Sequence, residues 1–287
     1  MIIKKKLKAK NNEAVQVEVF SSALELVQVS DARPINFSSH GAGGSRACVH
    51  EDLSWYGPGV KSWEDISEML HYGYQPITEK MKSIPTSLSG EGKRPTFIND
   101  VVGFAPIVPL YLQNIPTCMV NTTKKVIKNK VLNIYYDMTA NCGVEATDIL
   151  SAGCDLLGAI MELELQGYRF NLSAIQTYQR RDEGADILCV RVKDANRALD
   201  IKRISFPLAH PAFFRAVGFD WYERCPGATR RSGYGTALAY QYTREDINKM
   251  FEEMFGEKCV VFSAATDIRN SREDFKRVIE NAGKKVG

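Results

Sequence analysis

Histidine is scarce in this 287-residue chain, with copies only at positions 40, 50, 71 and 210. No two sit at metal-ligand spacing on one helix, which argues against the commonest zinc centres. Cysteine is present at seven scattered positions, Cys48, Cys118, Cys142, Cys154, Cys189, Cys225 and Cys259, with no CxxC pair. A zinc knuckle or a thioredoxin-like centre is therefore not expected. Contexts such as "ADILCVRV" read as reduced core thiols of a cytosolic protein. No apolar run approaches a membrane span, so no membrane partner is expected. The basic "MIIKKKLKAKNN" has no apolar stretch behind it and does not read as a secretory signal. "SSHGAGGSRAC" lacks the Gly-Lys-Ser/Thr of a phosphate loop and reads as a flexible loop. A net charge of +3 is too small to demand a nucleic-acid partner. There is no internal repeat and no low-complexity tract.

What is present is an ordinary globular composition, 44% hydrophobic and 25% charged, enough to fold without disulfide or metal staples. Residues 1–128 read as an irregular α+β region that packs on the core. "EAVQVEVF" and "ALELVQV" have strand or short-helix character. "SWEDISEMLHYGY" reads as a helix with Ser62 as N-cap, Asp65 in the capping-box position and Gly73 as stop. "SIPTSLSGEGKRPTF" reads as a mobile loop. The prolines in "FAPIVPLYLQNIP" argue for an edge or extended segment.

Residues 129–287 are more regular. "VLNIYYD" is a strand with a polar tip. A helix follows, with Ile149, Gly153, Leu156, Ile160 and Leu163 on one face and Gly167 as terminator. "YRFNLSAIQTY" and "DILCVRVK" are strands that can pair as an antiparallel hairpin. Residues 197–224 are mainly helical, broken at "FPLAHPAFF". "TREDINKMFEEMFG" is a helix capped by Thr243, with Ile247, Met250, Phe251 and Met254 as its apolar set. "KCVVFSAATD" is a buried-type strand, and "SREDFKRVIENAG" is a last helix. The alternation predicts an α/β three-layer sandwich with a mainly parallel central sheet.

In such sheets, ligands sit outside the carboxyl ends of the strands. Three polar features are expected there: Asp137-x-Thr139-x-Asn141, Thr236 in "SGYGTAL", and Asp267 in "SAATD". Taken alone, Asp137 also reads as a cap for the following helix, with Thr139 and Asn141 as turn residues. Taken together, the three resemble the von Willebrand factor A-type domain over residues 131–287. That family has Asp-x-Ser-x-Ser after its first strand, a threonine from a distant loop and an aspartate at the tip of its fourth strand. They hold a divalent cation that receives an acidic residue of a partner protein. The resemblance implies a magnesium site at Asp137, Thr139, Asn141, Thr236 and Asp267, since magnesium prefers hard oxygen ligands. Asn141 departs from the family's second serine, and one helix after Asp267 leaves the family's final strands without a counterpart.

"SWYGPGVKSWEDISEMLHYGY", "VPLYLQNIPTCM" and "FPLAHPAFFRAVGFDWYE" are similar to segments of an uncharacterised family of phages and integrated mobile elements. That resemblance implies a bacterial cytoplasmic setting. The expected function is a non-enzymatic protein-interaction module, with Arg230, Arg231 and Tyr234 facing an acidic partner. The alternative is nucleic-acid binding through Lys4–Lys10, Lys124–Lys130 and the arginine pairs at 180–181 and 230–231, with nearby aromatics. A metal-dependent hydrolase on the same carboxylates ranks third, because only two strand-tip aspartates can be named. A Cys142 nucleophile paired with a histidine has no support beyond the residues being there.

Overall fold

The computed structural model describes residues 1–7, 13–38, 44–47, 49, 53–82, 96–123, 130–180, 184–227, 234 and 236–286. The chain opens with β1 (Ile2–Leu7), β2 (Glu13–Phe20) and α1 (Ala23–Asp31). Short turns α2 (Gly44–Ala47) and α3 (Leu53–Tyr56) lead to α4 (Trp63–Tyr72) and α5 (Gln75–Lys82). Next comes a small module of β3 (Thr96–Asp100), β4 (Ala105–Pro106), α6 (Val108–Leu112) and β5 (Met119–Thr123). The second half runs β6 (Lys130–Asp137), α7 (Ala146–Leu165), β7 (Tyr168–Gln179), β8 (Ala185–Lys193) and α8 (Ile201–Ala209). A π-helical stretch (Phe213–Gly218), α9 (Phe219–Arg224) and a 3-10 turn (Leu238–Tyr240) follow. The chain then forms α10 (Arg244–Phe255), β9 (Cys259–Ser263), α11 (Ala264–Asp267) and α12 (Arg272–Val286).

The main sheet has six strands in the order β1-β2-β8-β7-β6-β9. It is a mixed sheet with helices, as the α/β expectation has it, and its pairings run in both senses. β2·β8, β6·β7 and β6·β9 are parallel, whereas β1·β2 and β7·β8 are antiparallel. Short connections between β1 and β2 and between β7 and β8 force the reversals, because a parallel neighbour needs a long crossover. The β7–β8 hairpin was legible from sequence. The placing of β1 and β2 beside β8 was not.

Strand alternation divides the sheet's apolar side chains between two clusters. Leu132, Ile134 and Tyr136 of β6 join the larger one, with α7, α8, α9 and α12. Tyr135 points the other way, into a smaller cluster with Val15, Val17, Val19, Ile187 and the α10 stripe Ile247, Met250, Phe251 and Met254. The mixed α/β core therefore has helices on both faces of the sheet.

Local signals for helix ends hold well. Ser62 and Thr243 each form a capping box, with Asp65 and Asp246. Gly167 and Gly256 follow α7 and α10 with φ of 95° and 77°, a region that favours glycine. "ALELVQV" resolves as helix α1, with the Ser22 hydroxyl accepting from the Glu25 amide. "FAPIVPLYLQNIP" is only partly extended. β4 is two residues long, and Pro109 sits in the first turn of α6, where its missing N–H costs nothing. His210 is a satisfied core histidine. Its Nε2 bonds the Pro58 carbonyl at 3.0 Å and its Nδ1 accepts from the Ala212 amide at 3.2 Å. Among the described cysteines, Cys154, Cys189 and Cys225 are buried as expected, but Cys142 is exposed. Of the expected mobile loop at 83–97, residues 83–95 lie outside the described residues, and Thr96 and Phe97 open β3. Among the described residues, no helix is long and apolar enough to cross a membrane.

α7 and α8 approach closely because Gly153 has no side chain. A Cβ there would overlap Ala209 and the Leu208 carbonyl. Gly153→Val is expected to lower stability by about 1–3 kcal/mol, read as a lower urea midpoint. Gly143→Val, at a residue with open space around it, is the control. Equal midpoints for the two variants would show that the helices do not need this approach.

Candidate functional site at the carboxyl edge of the sheet

β6, β7 and β9 run parallel, so their carboxyl ends share one edge. Asp137 ends β6 and is buried. Its Oδ1 accepts from the Thr139 amide at 3.0 Å and its Oδ2 from the Thr177 hydroxyl at 2.8 Å. The Thr139 hydroxyl accepts from the Thr177 amide at 2.8 Å. The Thr177 hydroxyl in turn accepts from the Leu238 amide at 3.2 Å. One bond path thus joins β6, β7 and the 3-10 turn. Burial pushes the Asp137 pKa up to about 6, against hydrogen bonds from Thr139 and Thr177 that pull it down. Asp137 does not cap α7. The N-cap there is Glu145, without a side-chain capping bond.

Asp267 lies one short helix beyond β9. Its Oδ2 accepts from the Ser263 amide and its Oδ1 from Asn270 Nδ2, both at 2.9 Å. Its Oδ1 also pairs with the guanidinium of Arg244, the first residue of α10. Arg244 stacks over the Phe262 ring at 5.3 Å and keeps a third of its side chain exposed. The buried Tyr136 phenol has no hydrogen-bond partner among the described residues. Burial raises its pKa, and so do the carboxylates of Asp267 and Asp137. Both acids therefore act on one phenol.

Asn141 is exposed and folds back on its own turn. Its side-chain oxygen accepts from the Gly143 amide at 3.3 Å and the Cys142 thiol at 3.2 Å. The Asn141 amide donates to the Tyr240 hydroxyl at 2.9 Å. Thr236 is half-buried, two residues before Leu238, and its hydroxyl joins none of these bonds. The edge thus brings together Asp137 and Thr139, with Asp267 nearby, and leaves Asn141 and Thr236 outside the bonded core.

This donor set does not fit magnesium as arranged. Both Asp137 oxygens already accept, and Asp267 already carries a guanidinium, which repels a second cation. Magnesium also keeps several waters, and Asp137 is too enclosed to admit them. Among the described residues, no three His, Cys, Asp or Glu side chains converge on one point.

Arg230 and Arg231 lie outside the described residues. Tyr234, expected to face a partner, instead donates to Glu223 at 2.8 Å. Its ring packs edge-on against Phe219, 4.7 Å between centroids. Glu223 is fully buried and also accepts from the Ser45 amide and hydroxyl at 2.8 and 2.9 Å. Sequence reasoning missed this acid, because "FDWYE" offers no local signal of burial. It also missed Thr177 and Arg244, whose partners are distant in sequence.

The Asp137 carboxyl sets a pH dependence with a definite sign. Its folded pKa lies above the ordinary carboxyl value. Its contribution is therefore fully present below about pH 4 and is lost as pH rises through about 6. A rise of about two pH units corresponds to roughly 3 kcal/mol. Asp137→Asn keeps the shape and removes the titration. The stability difference, variant minus wild type, is expected to grow in the variant's favour between pH 4 and pH 7. Urea midpoints across that range check this, and a constant difference would refute it.

No curated protein and no solved structure matches the chain. A family model does match, over residues 6–273, and neither of the resemblances drawn from the motifs is part of that match. With nearly its whole length covered, the chain belongs to the family described as Domain of unknown function (DUF7192).

Proposed function

We propose that residues 130–286 are a von Willebrand A-like, non-enzymatic protein-binding unit that takes an acidic side chain of a partner without a metal. The observation that carries this reading is the arrangement of β6, β7, β8 and β9. The first of these four strands bears Asp137-x-Thr139, the third is antiparallel, and the fourth is followed by Asp267. That is the order the resemblance requires, although β8 here is covered by β2 and is not an edge strand. In place of a metal, the partly exposed Arg244 guanidinium supplies the positive charge. It is held by Asp267, and the exposed Tyr240, four residues before it in sequence, accepts from the Asn141 amide. A planar guanidinium suits a carboxylate, offering paired donors in a fixed fork. Origin in a phage or mobile element, and action in a bacterial cytoplasm, complete the proposal.

A second reading, nucleic-acid binding, is favoured by a groove at the same sheet edge. It is lined by Lys4, Lys5, Lys6, Gln16 and Arg180. Contacts of lysine and arginine with phosphates would give steep salt dependence.

An Asp/Glu-rich peptide added to the 15N-labelled chain, in EDTA, separates these readings. The expected result is shifts of the Asn141, Tyr240 and Arg244 amides that are lost in Arg244→Gln and weakened in Arg244→Lys, which keeps the charge without the fork. Millimolar magnesium should leave both the shifts and the melting temperature unchanged. A magnesium requirement would overturn the metal-free mechanism. Absence of any peptide shift, with heparin retention abolished in Lys4→Glu/Lys6→Glu, would give the case to nucleic acid.

A further inference from the structure

The module formed by β3, β4, α6 and β5 has a sheet of its own, in the order β3-β5-β4. It has no core. None of residues 97–121 is buried. Three short strands need a covered hydrophobic face to be stable. Here the apolar side chains point into solvent instead. Phe97, Val102, Phe104, Val108, Tyr111 and Leu112 are each 58–75% exposed. The Phe97 and Phe104 rings lie together, 6.2 Å between centroids, and soluble monomers rarely leave large apolar patches open.

We infer that residues 96–123 are a self-association surface, covered by the same module of a second copy of this chain. Area is the first argument. At roughly 100 Å² each, the six side chains would bury about 600 Å² per copy, or about 1,200 Å² for the pair. That reaches the lower bound of a stable interface, near 1,200 Å², before Ile98, Val101 and the strand edge are added.

Charge is the second argument. A two-fold contact sets a patch against its own copy, so a patch dominated by one sign of charge would repel itself. Residues 96–123 contain a single charged side chain, Asp100. Its carboxylate is already engaged by Asn121 at 3.0 Å and the Val101 amide at 2.6 Å.

The third argument is the strand edge. Among the described residues, β3 pairs with β5 on one side and with no strand on the other. Its sequence "TFIND" has neither the proline nor the lysine that blunts open edges. The opposite edge, β4, carries Pro106. Antiparallel pairing of β3 with its own copy is the ladder that a two-fold axis generates.

Sedimentation velocity on the full chain over a wide concentration range tests this. The expected mass is at least twice the single-chain 32.1 kDa. Val102→Glu/Leu112→Glu should return it to one chain with unchanged far-UV circular dichroism. Leu165→Glu, at an exposed position on α7, should leave the assembly intact. If the double variant loses its folded signal, Tyr111→Arg alone decides by the same measurement. Wild type with single-chain mass at every concentration overturns the inference, as does an assembly that survives these substitutions. A monomer that sediments with phosphatidylserine vesicles through this module also overturns it, and assigns the surface to a membrane.

Discussion

The hydrogen bond from the Thr177 hydroxyl to the buried Asp137 carboxylate is the contact on which the carboxyl edge of the sheet depends. A carboxylate without water must find donors inside the protein, or it gives up its charge. Here one donor comes from its own turn and the other from the neighbouring strand. Because the same hydroxyl accepts from Leu238, the register of β6 against β7 also fixes the 3-10 turn. That turn in turn places Tyr240 on Asn141 and leads directly into α10, whose first residue is Arg244. The geometry of the partly exposed face is thus set by a bond that no partner would touch.

A second group of buried charges ties the early part of the chain to α9. Glu18 of β2 accepts from Arg33 and from the Trp221 indole. Asp220 pairs with Arg46 and Arg224, and Glu223 accepts from Ser45 and Tyr234. Such pairs give little net stability, because desolvation offsets the attraction. They do punish any misplacement, since one partner moved away leaves a bare charge in the core. β1 and β2 extend the sheet, and these bonds hold the segment after them against the helical face.

The β3–β5 module obeys the opposite rule. Among the described residues, the rest of the chain gathers most of its apolar side chains into two clusters, whereas this module turns its largest ones outward and carries almost no charge. Among the described residues, its strands pair only with one another. The protein therefore joins a self-sufficient α/β body to a segment whose stability calls for an outside surface.

The sequence by itself determined the local elements. The α7 and α10 stripes, the capping boxes at Ser62 and Thr243 and the β7–β8 hairpin were all legible, because each is written in side chains within a few residues of one another. The position of Asp137 at a strand end was legible for the same reason, whereas the strand expected to run on to Asp267 stops at Ser263 and Asp267 closes the short helix α11. Tertiary structure alone decided what those aspartates do. Their partners Thr177 and Arg244 lie 40 and 23 residues away in sequence, so no local pattern could reveal the hydrogen bond to the one or the ion pair of the other. Tertiary structure also decided that β1 and β2 join β8, that Tyr234 turns inward to Glu223, and that the proline-rich segment stands exposed. Pairing and burial of this kind follow from which surfaces meet in space, and hydrophobic pattern alone does not specify that.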